Sequence, residues 1–204
     1  MNRRKFLKSG LVLGGSALLT GIYTFQIEPF WLEFVSIKMS IPNLPDHLIG
    51  KTLMQISDLH IGPVVSSGFI VKSLAKAQAL GPDIVVYTGD FVSYQSAEQI
   101  EELTDVMKHH TRGSLATLGI LGNHDYGFGW SQDDVADNIV DGLDRLQIKI
   151  LRNESIDVNG LNIIGLDDLW SPNFGPRSIL NDLDPDRPSV VLCHNPDALD
   201  QPIW

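Results

Sequence analysis

Only one cysteine, Cys193, stands among the 204 residues, so no disulfide forms within the chain and the fold rests on packing alone. Basic side chains are scarce too. Of the 15, four (Arg3, Arg4, Lys5 and Lys8) crowd into the first eight positions, which leaves 25 acidic side chains against 11 basic ones in the remainder. A body so acidic repels a nucleic-acid backbone, and no nucleic-acid partner is expected. Bound cations are one way to neutralise part of that charge. Internal repeats and low-complexity tracts are absent. With 43% hydrophobic and 20% charged residues, the composition is that of a globular domain rather than a disordered chain.

A long run of apolar residues is missing as well. The charge-free stretch Leu11 to Phe25 falls short of the roughly 20 residues that span a bilayer comfortably. It follows a basic start, which is the layout of an export signal. Arg3-Arg4-Lys5-Phe6-Leu7-Lys8 resembles a bacterial twin-arginine signal, with Asn2 where that pattern prefers Ser or Thr. The resemblance implies the twin-arginine export machinery as a partner. Tyr23, Phe25 and Ile27 are too bulky for a small-x-small cleavage site, so an uncleaved anchor with its basic end inside is expected. The body then lies at the outer face of the cytoplasmic membrane, in the periplasm or in the cell wall. Residues 1–30 are read as signal or membrane anchor, 31–50 as a leading strand and linker, and 51–204 as the folded domain.

Apolar periodicity divides that domain into alternating strands and helices. Val35, Ile37, Met39 and Ile41 alternate with polar residues, as a half-buried strand does. Leu53–Ile56, Ile84–Tyr87 and Leu115–Leu121 read as strands, the second covered on both faces. Helices are expected from Ser66 to Leu80, with Ile70, Leu74 and Ala77 inward; from a capping box at Ser96–Gln99 to about His110; and from Ser131 to about Leu146, with Ile139, Leu143 and Leu146 inward. Short strands follow at Ile148–Leu151, Ser155–Val158, Leu161–Leu166 and Ser189–Cys193, with a hairpin turn at Asn159-Gly160. The pattern is that of an α/β domain with a mixed sheet system.

Four short motifs stand at strand ends: Asp58-Leu59-His60, Gly89-Asp90, Gly122-Asn123-His124-Asp125, and His194. In such sheets ligands gather just past the carboxyl ends of the strands. Singly, each motif has an ordinary reading as a turn, a cap or a core histidine. Together they supply carboxylates, an amide oxygen and imidazoles, a mixture that suits a pair of divalent transition metals. Glycines before Asp90 and Asn123 let backbone approach a crowded centre.

These motifs, with Leu192-Cys193-His194-Asn195-Pro196-Asp197, resemble the calcineurin-like metallophosphoesterase family from about Lys51 onward. Gln55-Ile56-Ser57-Asp58-Leu59-His60 resembles its bacterial membrane-associated or exported branch. The resemblance implies a four-layered α/β/β/α sandwich and hydrolysis of a phosphoester, phosphodiester or pyrophosphate bond. It also implies two divalent ions: manganese in first place, iron or zinc otherwise. Asp58 and His60 would bind the first ion, Asp90 would bridge both, and Asn123 and His194 would bind the second. His124 would protonate the leaving oxygen, with Asp125 orienting its imidazole. A lipid-linked or envelope substrate such as UDP-2,3-diacylglucosamine is compatible with a membrane-anchored member.

The family closes its site with a Gly-His-x-His motif beyond the fourth histidine, and Asn195 to Trp204 contains neither residue type. The chain therefore resembles a C-terminally truncated member that lacks its last strands. Low activity is expected of it, and a non-catalytic pseudoenzyme is the alternative. Other residues carry plainer readings. His47 is expected at the surface and Cys193 in the core. His109 and His110 are read as solvated helix caps, favoured as imidazolium. Asp167-Asp168 is either a solvated turn or part of a substrate mouth. The loop Tyr126–Trp130 covers substrate, contacts lipid or staples the next helix.

Overall fold

The computed structural model describes residues 2–181 and 183–202. It comprises two units, one up to Lys38 and the other from Met39 onward. In the first, the Asn2 side chain accepts from the Arg4 N–H at 3.2 Å and caps helix α1 (Arg3–Ile22). The helical path continues through a wide turn at Tyr23–Ile27 and a tight one at Glu28–Phe30. Arg3–Phe30, 28 residues, is long and apolar enough to cross a membrane. It exceeds the charge-free run because the helix also takes in flanking basic and polar residues. The strand expected over Val35–Ile41 does not form. Residues 31–40 make no ladder, and Val35 and Ile37 are 75% and 86% exposed. Alternation favours an extended backbone, but a strand also needs a neighbour's N–H and C=O groups.

The second unit is built on two sheets. The first is parallel, in the order β1 (Leu53–Ile56), β2 (Ile84–Thr88), β3 (Ala116–Ile120), β4 (Lys149–Ile150). Helices α2 (Ser67–Gln78), α3 (Glu98–Met107) and α4 (Asp133–Asp144) alternate with these strands. The second sheet holds β5 (Glu154–Val158), β6 (Leu161–Gly165) and β7 (Ser189–Leu192). β5 and β6 are antiparallel around Asn159-Gly160, whose φ values of 53° and 93° are those of a tight hairpin turn. β6 and β7 run parallel.

Side-chain alternation along β2 separates two cores. Val85 and Tyr87 pack with Ile70, Leu74, Leu103, Met107, Ile139 and Leu143 of the helices. Ile84 and Val86 point the other way, into a core shared with Leu161, Ile163 and Leu192 of the second sheet. Every β2 residue is buried for this reason. Helices, first sheet and second sheet thus form successive layers, an α/β arrangement as expected. Beyond them a short helix, α5 (Arg177–Leu180), lies beside Ser155 and Asn162 of the second sheet. At the start of α3 half of the expected capping box is present: Gln99 Oε1 accepts from the N–H groups of Gln95 and Ser96, while Ser96 Oγ turns to Glu98 instead.

His110 departs from its sequence reading. It is 5% exposed, not solvated. Its Nδ1 lies 2.7 Å from the Met107 carbonyl, and its Nε2 has no partner among the described residues. A ring with one acceptor in reach is satisfied by the neutral Nδ1–H form, and burial holds its pKa below the ordinary 6.5. The native state therefore refuses a proton that the unfolded chain accepts. Stability is expected to be intact above pH 6.5 and to fall below it, by at most about 1.4 kcal/mol per pH unit for one proton. Urea midpoints at pH 8 and pH 5.5 measure this, and His110→Gln should flatten the difference.

Candidate metal centre

The chain leaves β1 and β2 as two adjacent loops that remain paired. The N–H groups of Asp58, His60 and Ile61 donate to the carbonyls of Gly89, Asp90 and Phe91 at 3.1, 3.0 and 2.8 Å. Asp58, His60 and Asp90 all take positive φ, at 57°, 45° and 54°. Such conformations cost on the order of 1–3 kcal/mol each and persist where the surroundings over-determine them. Here the paired loops do so, and the strain turns three polar side chains toward one point. Close approach also requires the two glycines. A Cβ on Gly89 would lie 2.4 Å from the Gly122 nitrogen, and one on Gly122 would lie 2.3 Å from Asp90 Oδ1.

Asp90 is central, at 3% exposure. Its Oδ2 lies 3.4 Å from His60 Nε2 and 3.4 Å from His194 Nε2, and its Oδ1 accepts from the His124 N–H at 3.0 Å. His60 Nε2 lies 3.6 Å from Asp58 Oδ1. Ligand atoms of Asp58, Asp90 and His194 fall within 4.8 Å of one another. Metal bonds of about 2.0–2.2 Å place neighbouring ligand atoms at roughly the separations seen among these residues. The remote ring nitrogens are tethered: His60 Nδ1 pairs with Ser93 Oγ at 3.0 Å, and His194 Nδ1 donates to the Thr88 carbonyl at 2.7 Å. Metal-ligating histidines are commonly held in this way. Asn123, 5% exposed, opens the turn Asn123–Tyr126 beside them. The loops after β1, β2 and β3 of one sheet and β7 of the other thus bring Asp58, His60, Asp90, the His124 backbone and His194 together.

Burial alone would lower the His194 imidazole, but the Asp90 carboxylate and the Thr88 carbonyl reverse this and hold it at about 9. For Asp90 burial pulls upward, and His194 and the His124 N–H overcome it, leaving the carboxyl below its ordinary range. The two groups therefore favour opposite charges on facing atoms, Asp90 Oδ2 and His194 Nε2. A metal bound at His194 Nε2 would have to displace its proton.

The Asp125 carboxylate has backbone N–H groups, not the His124 ring, as its hydrogen-bond partners among the described residues. Its Oδ1 accepts from the N–H groups of Phe91 and Val92 at 2.9 and 3.2 Å, and its Oδ2 from that of Gly122 at 2.9 Å. Fully buried at 0% exposure, it ties the β3 loop to the β2 loop. Three unpaired amides attract a carboxylate more strongly than one imidazole on the same turn. Burial pushes its carboxyl up to about 7, against the pull of those amides. The His124 ring instead meets His60 edge-on at 5.1 Å and Trp130 at 6.3 Å.

Asp167 and Asp168 are not a solvated turn either, with exposures of 2% and 0%. Asp167 accepts from the Tyr126 hydroxyl and from Arg152 Nε at 3.4 Å, and Arg152 continues to Asp137 at 2.7 Å. In the loop Tyr126–Trp130 the Tyr126 side chain is buried in the core. Phe128 is exposed against Tyr94, and Trp130 stacks on Trp170 at 5.1 Å. An aromatic rim thus borders the centre. Cys193 is half-buried, and exposed His47 contacts the Asn159 carbonyl. Sequence reasoning missed Ser93 and Thr88 as tethers. For Ser93 the one available signal was a hydroxyl residue three positions past Asp90, whereas a backbone carbonyl such as that of Thr88 leaves none.

Residues 51–202 match the family model described as calcineurin-like phosphoesterase. Among individual proteins, the UDP-2,3-diacylglucosamine pyrophosphatase LpxG of Chlamydia trachomatis is 29% identical, over 89% of this chain and 68% of that protein. The phosphodiesterase YaeI of Escherichia coli is 24% identical, over 97% and 71% respectively. A transmembrane protein with a metallophosphoesterase domain from Danio rerio is 28% identical, over 83% of this chain and 40% of its own length.

Proposed function

The chain belongs to the calcineurin-like phosphoesterase family, and from that premise we propose that it hydrolyses a phosphodiester or pyrophosphate bond with two divalent metal ions, manganese favoured over iron and zinc. The observation that carries this reading is the convergence of Asp58, His60 and His194 on the buried Asp90 carboxylate. Mixed carboxylate and imidazole donors fit first-row divalent ions. Asp58, His60 and Asp90 would hold one ion, and Asp90, Asn123 and His194 the other. When bound, such ions act as Lewis acids toward phosphoryl oxygens and water. His124, at the edge of the centre, is assigned to proton delivery to the leaving oxygen, while its backbone N–H anchors Asp90. Asp125 keeps the loop that carries His124 in register.

The likeness to LpxG and the apolar Arg3–Phe30 helix together favour a lipid-linked pyrophosphate such as UDP-2,3-diacylglucosamine. Membrane attachment at the outer face, after twin-arginine export, accords with Arg3-Arg4 and that helix. The non-catalytic alternative draws no support from relatives named as a pyrophosphatase and a phosphodiesterase. The test is hydrolysis of bis(p-nitrophenyl) phosphate and of UDP-2,3-diacylglucosamine by the purified chain. Turnover is expected with manganese, to vanish with excess EDTA, and to return on adding manganese. No hydrolysis of either substrate with manganese, iron or zinc would overturn the reading.

A further inference from the structure

Asp168 is a buried carboxylate with a hydrogen-bond partner for only one of its two oxygens among the described residues. It is 0% exposed. One oxygen, Oδ1, accepts from the Trp170 N–H at 2.8 Å, while Oδ2 is buried with no partner among the described residues. Its neighbour Asp167, equally buried, is satisfied by Tyr126 and Arg152. A buried acceptor left unpaired costs on the order of 1–3 kcal/mol, and more when charged, so a donor is to be sought nearby.

The strand register says where. In the parallel β6–β7 pair Gly165 lies opposite Leu192, and the Leu166 N–H still donates to the Leu192 carbonyl at 3.0 Å. Continued past the ladder, that register sets Asp168 level with Asn195, one residue beyond His194. Charge interactions with both His194 and Asp90 agree with that position. Neither His194 nitrogen is free to serve it, since Nδ1 donates to Thr88 and Nε2 faces Asp90. We propose that Asp168 is a further anionic member of the metal centre, a positioning residue whose Oδ2 accepts a hydrogen bond from water ordered there and whose charge strengthens cation binding. This rests on the two-metal reading above.

Manganese binding to the full chain, measured by calorimetry and by electron paramagnetic resonance, tests it without reference to activity. Asp168→Asn keeps the shape and the Oδ1 acceptor for Trp170 while removing the charge. Its affinity for at least one ion is expected to fall roughly 10- to 100-fold, the usual cost of losing a carboxylate that supports metal ligands. The metal-free melting temperature should hold or rise, because an unpaired buried charge has gone. Asp167→Asn controls for a general loss of negative charge and should leave affinity unchanged. Wild-type affinity in Asp168→Asn, or loss of its fold, would overturn the inference and leave the two-metal reading standing. Absence of manganese binding by the wild-type chain would overturn that reading itself.

Discussion

Asp90→Ala is expected to abolish metal-dependent hydrolysis and, with it, the thermal stabilisation that divalent ions confer. A ligand that binds only the folded state at 100 times its dissociation constant stabilises by about 2.7 kcal/mol, so a manganese-induced shift in melting temperature reads binding directly. Among the described residues, Asp90 is the one side chain within 3.4 Å of both His60 and His194 and also bonded to the His124 backbone. On the two-metal reading proposed above, removing it would separate the donors of both ions at once. Losing a partner that only supports a ligand costs roughly 10- to 100-fold in affinity. A shared ligand should exceed that, with turnover falling by about 10³-fold or more. Asp90→Asn retains an acceptor for the His124 N–H but loses the charge, so it should keep the fold while failing to bind metal. Turnover by Asp90→Ala within tenfold of wild type would remove this centre from the reaction.

Asp125→Ala should act on stability rather than on chemistry alone. Its carboxylate is the acceptor for three buried N–H groups, those of Phe91, Val92 and Gly122. Each unpaired buried donor costs on the order of 1–3 kcal/mol. Three together approach the whole stability of a domain, which is typically about 5–15 kcal/mol. Urea denaturation is expected to show a loss of at least about 3 kcal/mol. Asp125→Asn should recover only part of it, because its Oδ1 can still accept from Phe91 and Val92 while its NH2 faces the Gly122 N–H. Had the carboxylate served chiefly to orient His124, both variants would unfold near the wild-type midpoint and differ only in turnover.

Much of the scaffold was legible in periodicity. The β2 run reads as a strand covered on both faces because both of its faces are apolar, and it lies between the two cores. The inward faces of α2 and α4 follow from 3.6-residue spacing, which needs no knowledge of the partner. Val35–Ile41 shows where this fails: alternation specifies a conformation, whereas a ladder depends on a second strand that local sequence does not reveal. His110 fails for a similar reason. Its place at a helix end suggests solvent, and only packing from elsewhere in the chain determines that the end is buried.

The sequence by itself determined the chemistry on offer: carboxylates, an amide and imidazoles at the ends of apolar runs, with glycine before Asp90 and Asn123. It determined the family for the same reason, since residue type and spacing are local properties. Only the tertiary structure decided which atoms meet. The pairing of the β1 and β2 loops turns Asp58, His60 and Asp90 together in left-handed conformations. The packing of one sheet on the other brings His194 to Asp90 across 104 positions of chain. The competition of three amides for Asp125 draws it away from His124. Those outcomes depend on groups far apart in sequence, whose mutual distances are set by burial and hydrogen-bond satisfaction in the assembled fold.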